Sequence, residues 1–343
     1  MDKQNPLEFL YLSQEDVKAA GLSMGLVIEA VEESFKLHAR NQVILPPKTV
    51  LDLDERKRGR VNAMPAYVNG EIDVCGIKWI AGFPQNPIKY GLPRAIGITI
   101  LNDSHKGIPL VIMDGTLISA MRTGAVTGVG AKYLARKDSE IIAMIGSSVQ
   151  AKTQLMALHE VLKSIKLVKV YSRSKESCEL YAKEMSNMLN LNVIPVDSAE
   201  LAVKNADVIV TATTADGPIV KNAWVKSGSF FSHIGSYQEE EYEVVLNSDK
   251  IIVDDWEQVE HRGTPILAKM YKEGLIRKED IFANLGEIVI GKKPGRENDN
   301  ERIFFLPIGM GSEDIVVAKK IYENALKKGI GKKLNLWEKP GLV

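Results

Sequence analysis

The chain has 343 residues, with 44 basic side chains against 44 acidic ones, 45% hydrophobic residues and two cysteines. It exceeds the ~150 residues of a typical domain, so two domains with separate cores are the default, and zero net charge removes the electrostatic basis for a nucleic-acid binder. No run reaches the roughly 18 apolar residues of a spanning helix, and the start carries Asp2, Lys3 and Glu8 where a signal peptide would be apolar. These features predict a cytoplasmic protein with no membrane segment. Cys75 and Cys178 are too few for a disulfide framework or a Cys-rich metal site, so no metal is expected and both read as structural thiols.

In chain order, Ser13 stands before Gln14, Glu15 and Asp16 as an N-cap with first-turn acids, and the periodic stretch Met24 to His38 predicts an amphipathic helix. Apolar runs punctuated by Gly and Pro, at Val74 to Ile80, Ala95 to Leu101 and Leu110 to Met113, predict strands of an antiparallel or mixed sheet. This part is α+β. Thr116 to Ala135 then reads as a linking helix. From Ile141 the pattern alternates: Ile141 to Ile145 apolar, Gln150 to Leu162 helical, Val168 to Tyr171 apolar, Ser177 to Leu189 helical, Val208 to Ala212 apolar. Such βαβαβ order predicts an α/β domain with a parallel sheet. Ser229 to Ile234 and Ile251 to Val253 extend the sheet, and Lys292 to Arg302 reads as a surface loop. Glu313 to Lys328 reads as a helix stopped by Gly329. The run Glu239-Glu240-Glu241, with Glu243 after Tyr242, reads as a solvated face.

Gly146-Ser147-Ser148-Val149-Gln150-Ala151 falls where a strand ends and a helix begins, the place where a dinucleotide pyrophosphate rests on free helix amides. Gly146 and Ala151 match Gly-x-Gly-x-x-Gly/Ala, whereas Ser148 replaces the second glycine. A tight structural turn is the alternative. At the tip of the second strand, Ser172-Arg173-Ser174-Lys175 offers two cations flanked by hydroxyls and no acid, which favours NADP(H) over NAD(H). The bland alternative is a helix start capped by Ser172 or Ser174. Thr211 and Thr213 follow the third strand, and Ile234 and Gly235 follow the next one, at the edge where such sheets bind ligands.

Lys78 is a lysine on an otherwise apolar strand. If buried, it has a lowered pKa and can relay a proton or orient a carbonyl, imine or carboxylate; otherwise it points out of a half-exposed sheet. Arg122, in Ala120-Met-Arg-Thr123, can hold a carboxylate with its planar fork or lie on a helix surface, and Lys48 after Pro46-Pro47 is a third cation.

Together Gly76-Ile-Lys78, Phe83-Pro-x-Asn86-Pro, Gly91-Leu-Pro, Met113-Asp-Gly-Thr116, Arg122-Thr123, Gln150-Ala151, Leu285-Gly-Glu287 and Glu313-Asp314-x-x-x-Ala318 resemble the ornithine cyclodeaminase/mu-crystallin family over nearly the whole chain. The resemblance implies a Rossmann dinucleotide-binding domain at 123–307 and an α+β substrate and dimerisation domain built from 1–122 and 308–343. It further implies a homodimer that uses a nicotinamide cofactor to exchange a hydride with the α-carbon of a small amino or imino acid. Lys78 and Arg122 match the family's substrate lysine and carboxylate-binding arginine, and Thr123 and Gln150 match residues near the cofactor. Three candidate substrate contacts depart from the ornithine cyclodeaminases proper: Asn62 replaces a carboxylate ahead of Met64-Pro65, Tyr237 stands where an Asp is expected, and Lys48 replaces an arginine. Both acids that would handle a second amine are thereby missing, which disfavours cyclodeamination. A lyase with recycled NAD, or a non-catalytic binding protein, are the rival readings.

Overall fold

The computed structural model describes residues 6–53 and 59–341; Asp2 and Lys3 lie outside them. The chain divides into two compact units, Met1–Arg122 with Met310–Val343, and Thr123–Gly309. The helix Thr116–Leu134 carries the chain from one to the other. The return falls two residues beyond the expected boundary at 307/308. The reason is local: buried Asp254 accepts the amides of Ile308 (2.8 Å) and Gly309 (2.6 Å), keeping both with the second unit.

In the first unit the described residues form an eight-stranded mixed sheet, ordered Lys332–Trp337, Leu7–Leu12, Pro109–Asp114, Ala95–Asp103, Val74–Gly82, Arg60–Val68 and Val43–Ile44, with Thr49–Asp52 also paired to Arg60–Val68. Side chains alternate between faces along each strand, so register sorts them. Met64, Lys78 and Thr99 stand in one cross-strand row and are buried, while Ala63, Trp79 and Ile98 form the adjacent row on the opposite face. The helices Met24–Ala39 and Gly311–Lys328 pack on each other, and the second lies against the central strands. Val27, Val31, Phe35, Ile315 and Ile321 are buried there. Gly311–Lys328 starts with Glu313 and Asp314 and ends with Lys327 and Lys328 before Gly329, the charge order that complements the helix dipole.

The second unit carries an eight-stranded sheet among the described residues, ordered Val193–Pro195, Leu167–Tyr171, Ile141–Ile145, Val208–Thr211, Phe230–His233, Ile303–Leu306, Lys250–Val253 and Ala283–Asn284, with every pairing parallel. The chain winds outward in both directions from Ile141–Ile145, so the strand order reverses there, and the crevice at such a reversal is where α/β sheets bind ligands. Ile209, Phe231 and Phe304 belong to one apolar cluster in this unit, with Phe231 and Phe304 stacked at 5.4 Å.

The glutamate run is corrected by the structure. Glu239 and Glu240 are fully buried, and Glu241 precedes the helix Tyr242–Leu246 while accepting the Asn222 amide at 2.8 Å. A charge run reads as solvent-facing because burying carboxylates is costly without partners; here His233 and the Thr213 amide supply them. Among the described residues, no helix is long and apolar enough to cross a membrane and no His/Cys/Asp/Glu group is suited to hold a metal.

Candidate active site

Lys78 sits mid-strand on the covered face and is 1% exposed, whereas its neighbour Trp79 is 44% exposed. The half-exposed alternative for this lysine is therefore excluded. Its Nζ donates to Asp314 Oδ2 at 2.7 Å and to Ser119 Oγ at 3.1 Å. Asp314 also accepts from Arg122: Nε reaches Oδ1 at 3.2 Å, and Arg122 Nη1 reaches Glu313 Oε2 at 2.9 Å. Arg122 is buried as well, which excludes a helix-surface role.

Two helices deliver the other members of this cluster. Ser119 and Arg122 stand three apart on Thr116–Leu134 and so share a helix face. Glu313 and Asp314 lie in the first turn of Gly311–Lys328, where the dipole favours acids. Four buried charges of balanced sign thus share one site, with Asp314 bridging both cations. Burial, followed by the Arg122 charge, pulls the Lys78 ammonium from its ordinary value down to about 8, against the opposing pull of Asp314 and Glu313. Burial acts on Arg122 in the same sense, but Asp314 and Glu313 outweigh it and hold the guanidinium above its ordinary value. A lysine poised near neutrality can exchange a proton at Nζ.

Asn62 is a diagonal neighbour of Lys78 on the same sheet face, since Met64 pairs with Lys78 and Asn62 with Ile80. Its Oδ1 is buried with no hydrogen-bond partner, as is Thr99 Oγ1 directly across from Lys78. Both are open polar atoms beside the charged cluster. Lys48 is half-buried, one residue before Thr49–Asp52. Tyr237 belongs to the second unit and is 37% exposed.

The second unit gathers the predicted cofactor residues on the carboxyl edge of its sheet. Gly146 has φ +116°, and a Cβ there would lie 2.6 Å from the Ala212 carbonyl, so only glycine fits. Ser148, by contrast, takes φ −85° and needs no glycine; it is the N-cap of Val149–Val161, yet its hydroxyl makes no capping bond. The first amides of that helix stay open to an anion. Ser147 Oγ donates to Ser172 Oγ at 3.0 Å, tying the glycine turn to the second strand tip. Gln150 Oε1 and Thr211 Oγ1 are buried acceptors with no partner, and Val149 is exposed. An open helix terminus beside unsatisfied buried polar atoms fits the pyrophosphate and ribose groups of a dinucleotide.

At the second strand tip Arg173 and Lys175 are exposed, while Ser174 caps Lys175–Leu189, accepting the Ser177 amide at 3.1 Å and donating to Glu176 at 2.9 Å. Thr213 donates its amide to Glu239 at 2.7 Å, Ile234 donates to the Thr211 carbonyl at 2.8 Å, and Gly235 packs against the Glu239 carboxylate. The Thr123 carbonyl accepts Gln154 Nε2 at 3.1 Å.

Comparison with known proteins places this geometry. The family model of the ornithine cyclodeaminase/mu-crystallin family matches residues 8–329. The chain belongs to the ornithine cyclodeaminase/mu-crystallin family. Within it, the chain is 36% identical over 335 residues to the N-((2S)-2-amino-2-carboxyethyl)-L-glutamate dehydrogenase of Staphylococcus aureus, covering 96% of this chain and 99% of that protein. The Δ1-pyrroline-2-carboxylate reductase of Thermococcus litoralis, solved with NADH and L-proline, superposes with a TM-score of 0.88 at 38% identity, covering 94% and 99% of the two chains. An archaeal alanine dehydrogenase dimer with bound NAD superposes equally well, TM-score 0.88 at 37% identity, covering 96% and 100%. These members of the family are dehydrogenases and reductases acting on amino or imino acids.

Sequence reasoning missed Ser119, Glu313 and Asp314 as parts of the charged cluster. The acids were visible only as a helix start and a family motif, because nothing local ties residue 314 to residue 78.

Proposed function

We propose that this chain is an NAD(P)-dependent oxidoreductase that exchanges a hydride with the α-carbon of a small amino or imino acid, as an imine reductase or amino-acid dehydrogenase. The observation that carries the proposal is Lys78, buried, lowered to about 8 and bridged to Arg122 by Asp314, in a chain whose full-length relatives perform this class of reaction. The dinucleotide supplies the hydride donor or acceptor at its nicotinamide ring. The Arg122 guanidinium binds the substrate carboxylate, Lys48 adds charge, and Lys78 Nζ orients the substrate and moves a proton as the C=N bond forms or disappears. Asn62 Oδ1 accepts from the substrate nitrogen side. Tyr237 is the remaining substrate-binding candidate.

Gly146, Ser147, Ser148, Val149 and Gln150 hold the pyrophosphate, and Thr123, Thr211, Thr213, Ile234 and Gly235 the nicotinamide half. Ser172, Arg173, Ser174 and Lys175 take the adenosine ribose with a preference for the 2′-phosphate of NADP(H), supported by two exposed cations and no acid at the strand tip; Glu176, in the next turn, reduces the local charge. The two solved relatives hold NADH and NAD, so the proposed phosphate preference rests on Arg173 and Lys175 alone.

A homodimer completes the proposal. Trp79 and Ile98 pair across strands on the face opposite Lys78 and are 44% and 42% exposed; a second copy on that face would cover them, as isologous dimers do. The function is tested by titrating purified protein with NADPH and NADH, then following nicotinamide absorbance with cyclic imino acids and with 2-oxo acids plus amines. Stoichiometric cofactor consumption is expected. Ammonia release from ornithine without net cofactor change would instead identify a lyase.

A further inference from the structure

The second unit buries a group of ionisable side chains that the reaction above does not use. His233 ends the strand Phe230–His233, and Glu239 and Glu240 return to it six and seven residues later; all three are fully buried. His233 Nδ1 lies 2.9 Å from Glu240 Oε1 and 3.9 Å from Glu239 Oε2. Glu239 faces the other way too, its Oε1 accepting the Thr213 amide at 2.7 Å. A Cβ on Gly235 would overlap the Glu239 carboxylate, so the glycine exists to admit that side chain. The Glu239 carbonyl accepts the amides of Ile219 (2.7 Å) and Val220 (3.0 Å), and the Gln238 carbonyl accepts Gly217 (2.9 Å). The segment 238–240 therefore stitches together the loop after Val208–Thr211 and the loop after Phe230–His233.

We propose that His233, Glu239 and Glu240 are positioning residues for the nicotinamide half of the dinucleotide: Glu239 fixes the Thr213 amide and the Gly235 turn, and His233, bonded to Glu240, supplies from 3.9 Å the positive charge that holds Glu239 Oε2, which has no hydrogen-bond partner. The proposal rests on the dinucleotide assignment made above. Its logic is electrostatic. Two carboxyl groups packed side by side in a dry site repel each other unless a cation sits between them, and the imidazolium is that cation. The elements flanking His233 bring Thr211 on one side and the Phe304 ring on the other, so Glu240 and then Glu239 are the charged groups that act on the imidazole. Burial lowers its proton affinity, but Glu240 outweighs burial and raises the imidazole to about 8, while burial raises Glu240 above its ordinary value. The positioning is thus complete at neutral pH. It weakens as His233 loses its proton.

The test is amide hydrogen exchange across the segment 208–220, corrected for intrinsic rates, from about pH 6.5 to 9.5, on the full-length protein and on His233→Leu/Glu240→Leu. The double substitution removes the pair as a unit, which buried ion pairs tolerate better than loss of one partner. In the parent protein, protection of the Thr213 amide should fall about tenfold as pH rises through about 8, and Glu240→Gln should move that midpoint down by about one unit. The double variant should show a flat profile. A parallel fluorescence titration with NADH and NADPH should show affinity weakening over the same pH range in the parent and no such trend in the double variant. A flat exchange profile in the parent, or an unchanged midpoint in the double variant, overturns the inference. Failure of both nucleotides to bind at every pH strikes the dinucleotide assignment itself, and the exchange profile then still decides whether the cluster orders these loops.

Discussion

Asp314→Asn is the substitution that interrogates the charged cluster most directly. It keeps the size of the side chain and removes a carboxylate that bonds both Lys78 and Arg122. Two consequences can be separated. Loss of one partner from a buried ion pair costs about 3–5 kcal/mol, since the other charge is left uncompensated. The second consequence is on protonation. Asp314 raises the Lys78 ammonium against burial and Arg122, and an opposite charge within ~4–6 Å is worth about 1–3 pKa units. Removing it takes Lys78 from about 8 to roughly 5–7. At about pH 7.5 the protonated fraction then falls from about three-quarters to between about a quarter and less than about 1%, so a step that needs the ammonium slows roughly 3- to 240-fold, with recovery as pH falls toward the new value. The assay is imine reduction followed at the nicotinamide band, with kcat/KM measured across pH for both proteins and thermal unfolding recorded alongside. The parent rate should decline above about pH 8 and the variant rate should begin to decline one to three units lower. An activity loss of equal size at every pH, with the limb unmoved, would refute Lys78 as the titrating proton carrier and leave Asp314 a purely structural role.

Other outcomes follow from the same geometry. Lys78→Met should reduce kcat by roughly 100-fold or more and abolish the alkaline limb; because the folded lysine sits below its unfolded value, its buried charge costs the parent stability below about pH 8 and that cost is relieved as pH rises toward 10.5, so the stability difference should shift toward the parent over that range. Gly146→Ala places a methyl against the Ala212 carbonyl at a positive φ and should lose dinucleotide binding by about tenfold or more in a fluorescence titration, at a stability cost of about 1–3 kcal/mol. Arg173→Ala should weaken NADPH by about five- to twentyfold while leaving NADH nearly unchanged; equal weakening of both would refute the 2′-phosphate preference. Ile98→Glu places a charge on the exposed face that also carries Trp79 and should shift the protein toward monomer in sedimentation velocity without altering dinucleotide affinity.

The sequence pattern carried the first βαβαβ of the second unit almost to the residue, but not the strands Val193–Pro195 and Ile303–Leu306 or the helices Trp256–Arg262 and Ile266–Lys272. Ile141–Ile145 appears with the predicted bounds, and Val149–Val161 differs from the predicted helix by one residue at each end. A strand buried on both faces reads as a continuous apolar run, and a Gly-to-helix transition marks its end. The first unit was less open. Arg60–Val68 escaped notice because a strand with one covered face alternates, and Arg60, Asn62, Pro65 and Tyr67 interrupt its apolar positions. Leu7–Leu12 and Lys332–Trp337 pair with each other across the length of the chain, a contact that neither segment's own composition announces.

The charged site shows the same division in sharper form. Lys78 and Arg122 could be picked out because each breaks its local pattern, but what makes them chemically useful is Asp314, which sits among ordinary first-turn acids of a helix. Glu239 and Glu240 are the mirror case: their pattern was visible and pointed the wrong way, because the histidine that lets Glu240 be buried lies on another element, inside a strand that reads as plain core. In both places a carboxylate acquires its role from a cation brought by folding, and in both the charge is held where water is excluded, so its effect on a neighbouring proton is far larger than it would be at the surface. The two clusters should therefore respond oppositely to alkali in the folded protein's energetics. Deprotonating Lys78 relieves a buried charge whose proton affinity is already depressed, whereas deprotonating His233 removes a cation whose proton affinity is raised, so its contribution is present in full below the unfolded histidine value of 6.5 and is lost as pH climbs through about 8. Thermal unfolding of the parent, Lys78→Met and the His233→Leu/Glu240→Leu variant from about pH 6 to 10 separates them: the parent-minus-variant stability difference should rise with pH for Lys78→Met and fall with pH for the double variant. Parallel slopes of the same sign would mean that one of the two clusters does not titrate as its geometry requires.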